Sequence, residues 1–196
     1  MNRTSSKKTR GRLFIVSAPS GTGKTTVVNL LMKVDARFAR SISMTTREPR
    51  GREKNGRDYW FVSAAYFKKQ IRRGAFLEYA RVLGSFYGTP KAPIAKALKA
   101  GHNALMSIDI QGTRQVKKCG LPLTTIFLLP PSMRVLEQRL RKRGTETPRE
   151  ITERLNLARK ELTAMNEYDY AVVNGQLKEA TEAIRTIIRA QRYRVQ

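Results

Sequence analysis

The residues with the clearest chemistry lie in "SAPSGTGKTT", positions 17–26. Ala18, Pro19, Ser20, Gly21, Thr22, Gly23, Lys24 and Thr25 follow the phosphate-loop pattern G-x-x-x-x-G-K-[ST], with alanine at the first glycine. Unpaired backbone N–H groups at a helix N-terminus point outward, and the helix dipole adds partial positive charge there. Gly21 and Gly23 let the chain curl so that successive N–H groups converge on phosphate oxygens. Lys24 is placed to reach β- and γ-phosphates, and the Thr25 hydroxyl is placed to ligate Mg²⁺. Alanine serves at position 18 if φ is negative there. The competing reading is a plain glycine-rich turn.

Two further groupings offer binding chemistry. "TTREPRGREKNGRDYWF", 45–61, collects Thr45, Thr46, Arg47, Arg50 and Tyr59. Fork donors and hydroxyls of this kind suit a second phosphate, separate from the one at Lys24. A solvated basic loop is the alternative. Downstream, "GAFLEYARVLGSFYGTP" sets the lone carboxylate Glu78 among apolar and aromatic residues. On a strand it shares a face with Phe76 and Ala80. A partly buried carboxylate needs donors. Guanine supplies two adjacent ones, N1–H and N2–H₂, where adenine has a lone pair at N1 and no N2 group. An internal salt bridge to one of the many arginines would also satisfy it.

The elements that position these groups can be read coarsely. "LFIVSA" is a buried strand that feeds the glycine-rich turn, and a helix follows over 24–34. "ARSISMTT" and "RDYWFVS" are strand-like. Ser63 caps a helix over "AAYFKKQIRRG", which Gly74 ends. "AFLEYARVL" is a strand, "FYGTP" ends in a turn, and "PIAKALKAG" is a helix. "NALMSID" and "TTIFLLP" are the short apolar runs of parallel strands. "SMRVLEQRLRKRG" carries Met133, Leu136 and Leu140 on one stripe. "TPRE" places Thr147 at an N-cap, Pro148 at the first helical position and Glu150 in a capping box. Behind it Ile151, Leu155, Ala158, Leu162 and Met165 keep a 3.6-residue period. "YAVVN" is a last strand and "LKEATEAIRTIIRA" a last helix.

The fold expected is α/β: a parallel-sheet core of the phosphate-loop type with a strand-rich insert and a basic helical excursion, which the family resemblance given below makes a nucleoside-monophosphate-binding insert and a helical lid. The boundaries are a flexible basic tail at 1–11, a core of 12–40, 94–138 and 161–196, the insert at 41–93 and the lid at 139–160.

The 196 residues suit one domain with a real core. One cysteine, Cys119, forbids an intrachain disulfide, and one histidine, His102, excludes a Cys/His zinc cluster. Cys119 reads as a small helix-end residue and His102 as a surface loop residue. No apolar run approaches membrane-spanning length, and the basic N-terminus has no signal-peptide core behind it, so a cytoplasmic location is expected. Lys and Arg number 39 against 15 Asp and Glu, a formal charge of +24 that favours acidic partners. Nucleic-acid contact by the basic tail is one such partnership. No membrane or obligate protein partner is expected.

Taken together, the chain resembles the guanylate kinase family from about residue 13 onward. The motifs "SAPSGTGKT", "SMTTREPRGREKNGRDYWFV", "FLEYARVLGSFYGTP", "SIDIQG" and "RLRKRGTETPREITERL" fall in the family's order. The resemblance implies ATP-dependent phosphorylation of GMP, with dGMP as a second acceptor, and Mg²⁺ as the cofactor travelling with ATP. It implies a role in the recycling and supply of guanine nucleotides. Residues 18–25 would hold ATP, with Thr25 on the metal. Ser43, Glu78 and Asp109 would address the guanine and its surroundings. Arg47, Arg50, Tyr59 and Tyr87 would hold the GMP phosphate, and Thr89 keeps the hydroxyl of the family's serine. Arg143 and Arg154 would join Lys24 and Arg47 around the migrating phosphoryl group, with insert and lid closing over it. Ser107 stands where the family usually has aspartate. A sugar-phosphate kinase would need neither Ser43 nor Glu78. A non-catalytic binding module often loses the phosphate loop, and the sequence shows no aromatic stacking motif of an RNA-recognition fold.

Overall fold

The computed structural model describes residues 11–34, 38–39, 41–82, 84–142 and 147–193. In chain order its elements begin with β1 (Leu13–Ser17), α1 (Lys24–Val34), β2 (Phe38–Ala39), β3 (Met44–Thr45), β4 (Trp60–Phe61), α2 (Ala64–Arg72), β5 (Phe76–Val82) and β6 (Ser85–Pro90). They continue with α3 (Lys91–Lys99), β7 (Asn103–Ser107), α4 (Ile110–Lys117), β8 (Leu123–Leu129), α5 (Met133–Lys142), α6 (Pro148–Leu162), β9 (Tyr170–Val173) and α7 (Leu177–Ala190). A five-stranded sheet has the order β2-β7-β1-β8-β9, with β2 parallel to β7 and β8 parallel to β9. A four-stranded sheet has the order β4-β3-β6-β5. The chain divides into two compact units: residues 1–13, 37–105 and 115–123, and residues 14–36, 106–114 and 124–196.

The first unit is built on the four-stranded sheet. Its antiparallel pairs set Glu78 opposite Thr89, Ala80 opposite Tyr87, and Thr45 opposite Tyr87. Residues directly opposite share a face, so Glu78, Thr89, Tyr87 and Thr45 lie on the same side. The other side is closed by α2. Ser63 caps this helix by accepting from the Tyr66 N–H. Phe67, wholly buried, stacks on Phe76 at 4.5 Å and on Phe86 at 5.3 Å between centroids. Gly88 makes that stack possible, because a Cβ there would come 2.9 Å from Phe76 Cδ1 and 3.0 Å from Phe67 Cζ.

The second unit carries the glycine-rich loop. β1 is buried at every position, as a central strand between neighbours requires. α5 and α6 pack through Leu136, Leu140, Ile151, Leu155 and Ala158, with Met133 against them. The capping box at Thr147 and Glu150 is formed, and Pro148 opens α6.

The structure corrects several sequence expectations. "FYGTP", expected to end in a turn, is strand β6 through Pro90. α3 starts at Lys91, with Pro90 at its N-cap, instead of at Pro93. The strand expected over "ARSISMTT" is two short pieces, Phe38–Ala39 and Met44–Thr45. In "RDYWFVS" only Trp60–Phe61 is strand. α4 has no counterpart in the sequence reading. The tail at 1–10 and Arg143 lie outside the described residues.

Candidate active site

The phosphate loop is held from several sides within its unit. Gly21 and Gly23 have φ of 87° and 97°, the left-handed region where a side chain is strained. Each also lacks room for a Cβ, which would lie 2.8 Å from Leu140 Cδ2 at Gly21 and 2.7 Å from Asn174 Nδ2 at Gly23. The Thr22 carbonyl accepts from Asn174 Nδ2 at 2.8 Å and from an Arg139 guanidinium nitrogen at 3.1 Å. Arg139 also donates to the Asn174 carbonyl at 2.9 Å. The Ser20 hydroxyl takes a 2.7 Å hydrogen bond from Arg154 of α6. Ala18 and Pro19 are buried, and Thr25, the second residue of α1, is exposed.

Lys24 opens α1 and donates to the Ile108 carbonyl at 2.7 Å. The same carbonyl accepts from the Ser17 hydroxyl at 2.6 Å. Asp109, next along, caps α4: its Oδ1 accepts from the Gly112 N–H at 2.7 Å. Ser107 and Asp109 are both exposed. Beside them is a cavity of about 200 Å³, lined by Asp109, Gln111, Arg114, Leu157, Lys160 and Glu161 among others. Burial pushes the Glu161 carboxyl above the ordinary carboxylate range. Lys24 and the Ser20 backbone N–H pull it down, and Asp109 pushes it further up. Glu161 Oε2 is buried without a hydrogen-bond partner among the described residues. Hard oxygen donors of this kind, a threonine hydroxyl and carboxylates beside a phosphate loop, fit Mg²⁺.

The first unit brings another set together on one sheet face. Glu78, 8% exposed, accepts the Thr89 hydroxyl on Oε1 at 2.6 Å. The Tyr87 side chain helps, after Glu53, to raise the Arg47 pKa. The Arg47 guanidinium lies 5.5 Å from the Tyr59 ring centroid and 5.8 Å from that of Phe61. Tyr59 and Tyr87 meet edge to face at 6.2 Å. Arg47 also forms a two-point pair with Glu53, at 3.0 and 2.9 Å. The pair raises the Arg47 pKa and holds the Glu53 carboxyl below the usual range. Glu53 accepts from the Arg50 N–H at 2.8 Å as well, while the Arg50 side chain is exposed. The fork that a phosphate would use is thus turned onto a carboxylate of its own loop. Ser43 is half-buried beside β3, and its carbonyl accepts from the Trp60 N–H.

Comparison with known proteins decides what these groups belong to. The family profile described as guanylate kinase matches residues 10–191. The chain belongs to the guanylate kinase family. It is 46% identical over 180 residues to the guanylate kinase of Dechloromonas aromatica (strain RCB), covering 92% of this chain and 89% of that one. It is 43% identical over 185 residues to the guanylate kinase of Rickettsia prowazekii (strain Madrid E), covering 94% of each. Among solved structures, the crystal structure of guanylate kinase from Anaplasma phagocytophilum superposes with a TM-score of 0.75 at 31% identity. That match covers 95% of this chain and 89% of that one.

Within this guanylate kinase fold, three side chains around the phosphate loop escaped the sequence reading: Arg139, Asn174 and Glu161. Arg139 lies 117 positions from Thr22 and Asn174 lies 152. No local pattern marks partners so distant. The cap at Asp109 had a local signal, an aspartate immediately before an apolar residue.

Proposed function

We propose that the chain transfers the γ-phosphoryl group of MgATP to the phosphate of GMP, and of dGMP, giving ADP and GDP or dGDP. The observation that carries this reading is the single sheet face with the buried Glu78–Thr89 pair at one end and Arg47, Tyr87 and Tyr59 at the other. A carboxylate with that burial suits the N1–H and N2–H₂ edge of guanine, with Ser43 and Asp109 completing the nucleoside contacts. Arg47, Arg50, Tyr59 and Tyr87 suit the acceptor phosphate. For Arg47 this requires leaving Glu53, so the bound phosphate takes the place of a carboxylate in the same fork. Thr89 serves as the hydroxyl that orients Glu78.

Residues 18–25 wrap the ATP phosphates with backbone N–H groups. In-line transfer forms a bond from an anionic GMP oxygen to the γ-phosphorus and breaks the bond to the oxygen bridging β and γ. That nucleophile is already ionised, so positioning and charge neutralisation dominate. Lys24 holds the β- and γ-phosphates, while Arg154, Arg143 and Arg47 bring positive charge to the migrating group. Thr25 would hold Mg²⁺, with Asp109 and Glu161 as carboxylates for its waters. When bound, the ion neutralises charge on the β- and γ-oxygens. Residues 41–93 act as the acceptor insert and 139–160 as the lid, on a core of 12–40, 94–138 and 161–196. The cytoplasm is the compartment that suits this chemistry, and no described helix is long and apolar enough to cross a membrane. The test is ³¹P NMR of the protein with ATP, Mg²⁺ and GMP. Equal growth of ADP and GDP supports the reading, and unchanged ATP and GMP at high enzyme overturns it.

A further inference from the structure

The chain's positive charge is unevenly spread. The unit formed by residues 1–13, 37–105 and 115–123 holds 22 Lys and Arg against four Asp and Glu, while the other holds 17 against 11. A single acceptor nucleotide, with one phosphate, does not account for such an excess. Residues 59–108 are the extreme case. They contain eight Lys and Arg, and their one acidic residue, Glu78, is buried. All eight are exposed: Lys68, Lys69, Arg72 and Arg73 around α2, Arg81 on β5, and Lys91, Lys96 and Lys99 on α3. No described carboxylate forms an ion pair with any of them.

The fold joins these charges into a continuous track. The Lys91 N–H donates to the Ala75 carbonyl at 2.8 Å, which brings the start of α3 beside the end of α2 at Arg72 and Arg73. α3 then leads through Lys96 to Lys99. There the Gly11 N–H donates to the Leu98 carbonyl at 2.9 Å. At its other end α2 presents an exposed aromatic ring, Tyr66, 47% accessible. Lys69 and Arg73 follow at helical spacing on the same face. Repeated cations with a bare aromatic ring suit phosphates and an unpaired base.

We propose that the α2–α3 face binds single-stranded nucleic acid, with phosphates along Lys69, Arg73, Lys91, Lys96 and Lys99 and a base stacked on Tyr66. A duplex offers no unpaired base for Tyr66. An anionic bilayer is disfavoured because neither helix has an apolar face left to insert: Phe67 of α2 and Ile94 and Leu98 of α3 are all buried in the unit's own core. Nothing in the face addresses a sugar hydroxyl, so RNA and DNA strands bind alike.

The test is fluorescence anisotropy of the full chain with labelled oligo(U) and oligo(dT) of about twenty nucleotides, across a salt series. A duplex of equal length and phosphatidylcholine vesicles carrying phosphatidylserine serve as competitors. Each phosphate contact on a single strand contributes about 0.7 to the slope of log K against log salt. The combined variant K69Q/R73Q/K91Q/K96Q removes four of these contacts and should lose about 2–3 from that slope. Tyr66→Ala should weaken binding roughly 5- to 150-fold and leave the slope unchanged. Both variants should keep GMP phosphorylation, since neither touches the nucleotide sites, and this also reports correct folding. An unchanged slope in the glutamine variant overturns the proposal. So does full affinity in Tyr66→Ala, or competition by duplex or vesicles as strong as by the single strand.

Discussion

Replacing Glu78 by glutamine keeps the size of the side chain and changes one acceptor into a donor. In the structure Oε1 is already engaged by the Thr89 hydroxyl at 2.6 Å. Glutamine can keep that bond through its own Oε1, so the new NH₂ group occupies the position of Oε2. Guanine then meets a donor where it had an acceptor, and loses a hydrogen bond to a charged group worth about 1.5–3 kcal/mol. That is roughly a 10- to 150-fold fall in kcat/KM for GMP. AMP, whose N1 carries a lone pair, gains a neutral hydrogen bond of about 0.5–1.5 kcal/mol, or roughly 2- to 10-fold. The GMP-to-AMP ratio of kcat/KM should therefore fall by a factor between about 20 and 1500. A coupled assay for ADP gives both constants, and urea denaturation of the variant shows that the fold is intact. A ratio that moves by less than about five-fold in a folded protein would refute the reasoning, making Glu78 a structural carboxylate.

Other outcomes follow from the same geometry. Lys24→Ala should lower kcat by about 10²–10³ or more, while urea denaturation shows a stability change of no more than about 1–2 kcal/mol from the lost bond to the Ile108 carbonyl. Near-normal turnover would remove the phosphate-loop assignment. Gly88→Ala should cost about 1–3 kcal/mol, because the added methyl meets two stacked rings that cannot both retreat, and urea denaturation midpoints measure it. Glu161→Gln should raise the melting temperature at pH 8 and leave it unchanged near pH 4. The Glu161 carboxyl is raised in the fold, so its favourable contribution is present below the unfolded pKa and is lost as pH rises through the folded one. A variant less stable than wild type at pH 8 would contradict that sign.

The sequence reveals most where a local rule operates. The run "LFIVS" before "APSGTGKTT" is enough to place strand, loop and helix, because the phosphate loop is a contiguous motif. Thr147, Pro148 and Glu150 place the start of α6 for the same reason. The end of β6 is misread as a turn because Gly88 and Pro90 are turn residues by habit. Here Gly88 clears space for Phe67, and Pro90 stands at the strand's end, where it caps α3. α4 is missed because Gly112 and polar neighbours blur its period, although Asp109 caps its first turn. The pairing of Arg47 with Glu53 has no signal either: six residues of loop carry no period from which a contact could be read. Tertiary partners such as Arg139 and Asn174 become visible only once the chain is folded.

The account turns on guanine recognition coupled to phosphoryl transfer, and the most direct test is kcat/KM for GMP, AMP and UMP in separate reactions with MgATP. Turnover of GMP is expected with a preference over AMP of about 10³ or more, since AMP offers the buried carboxylate neither of the two donors that guanine's N1–H and N2–H₂ edge supplies. Comparable rates for GMP and AMP, or no transfer to GMP at all, would contradict it.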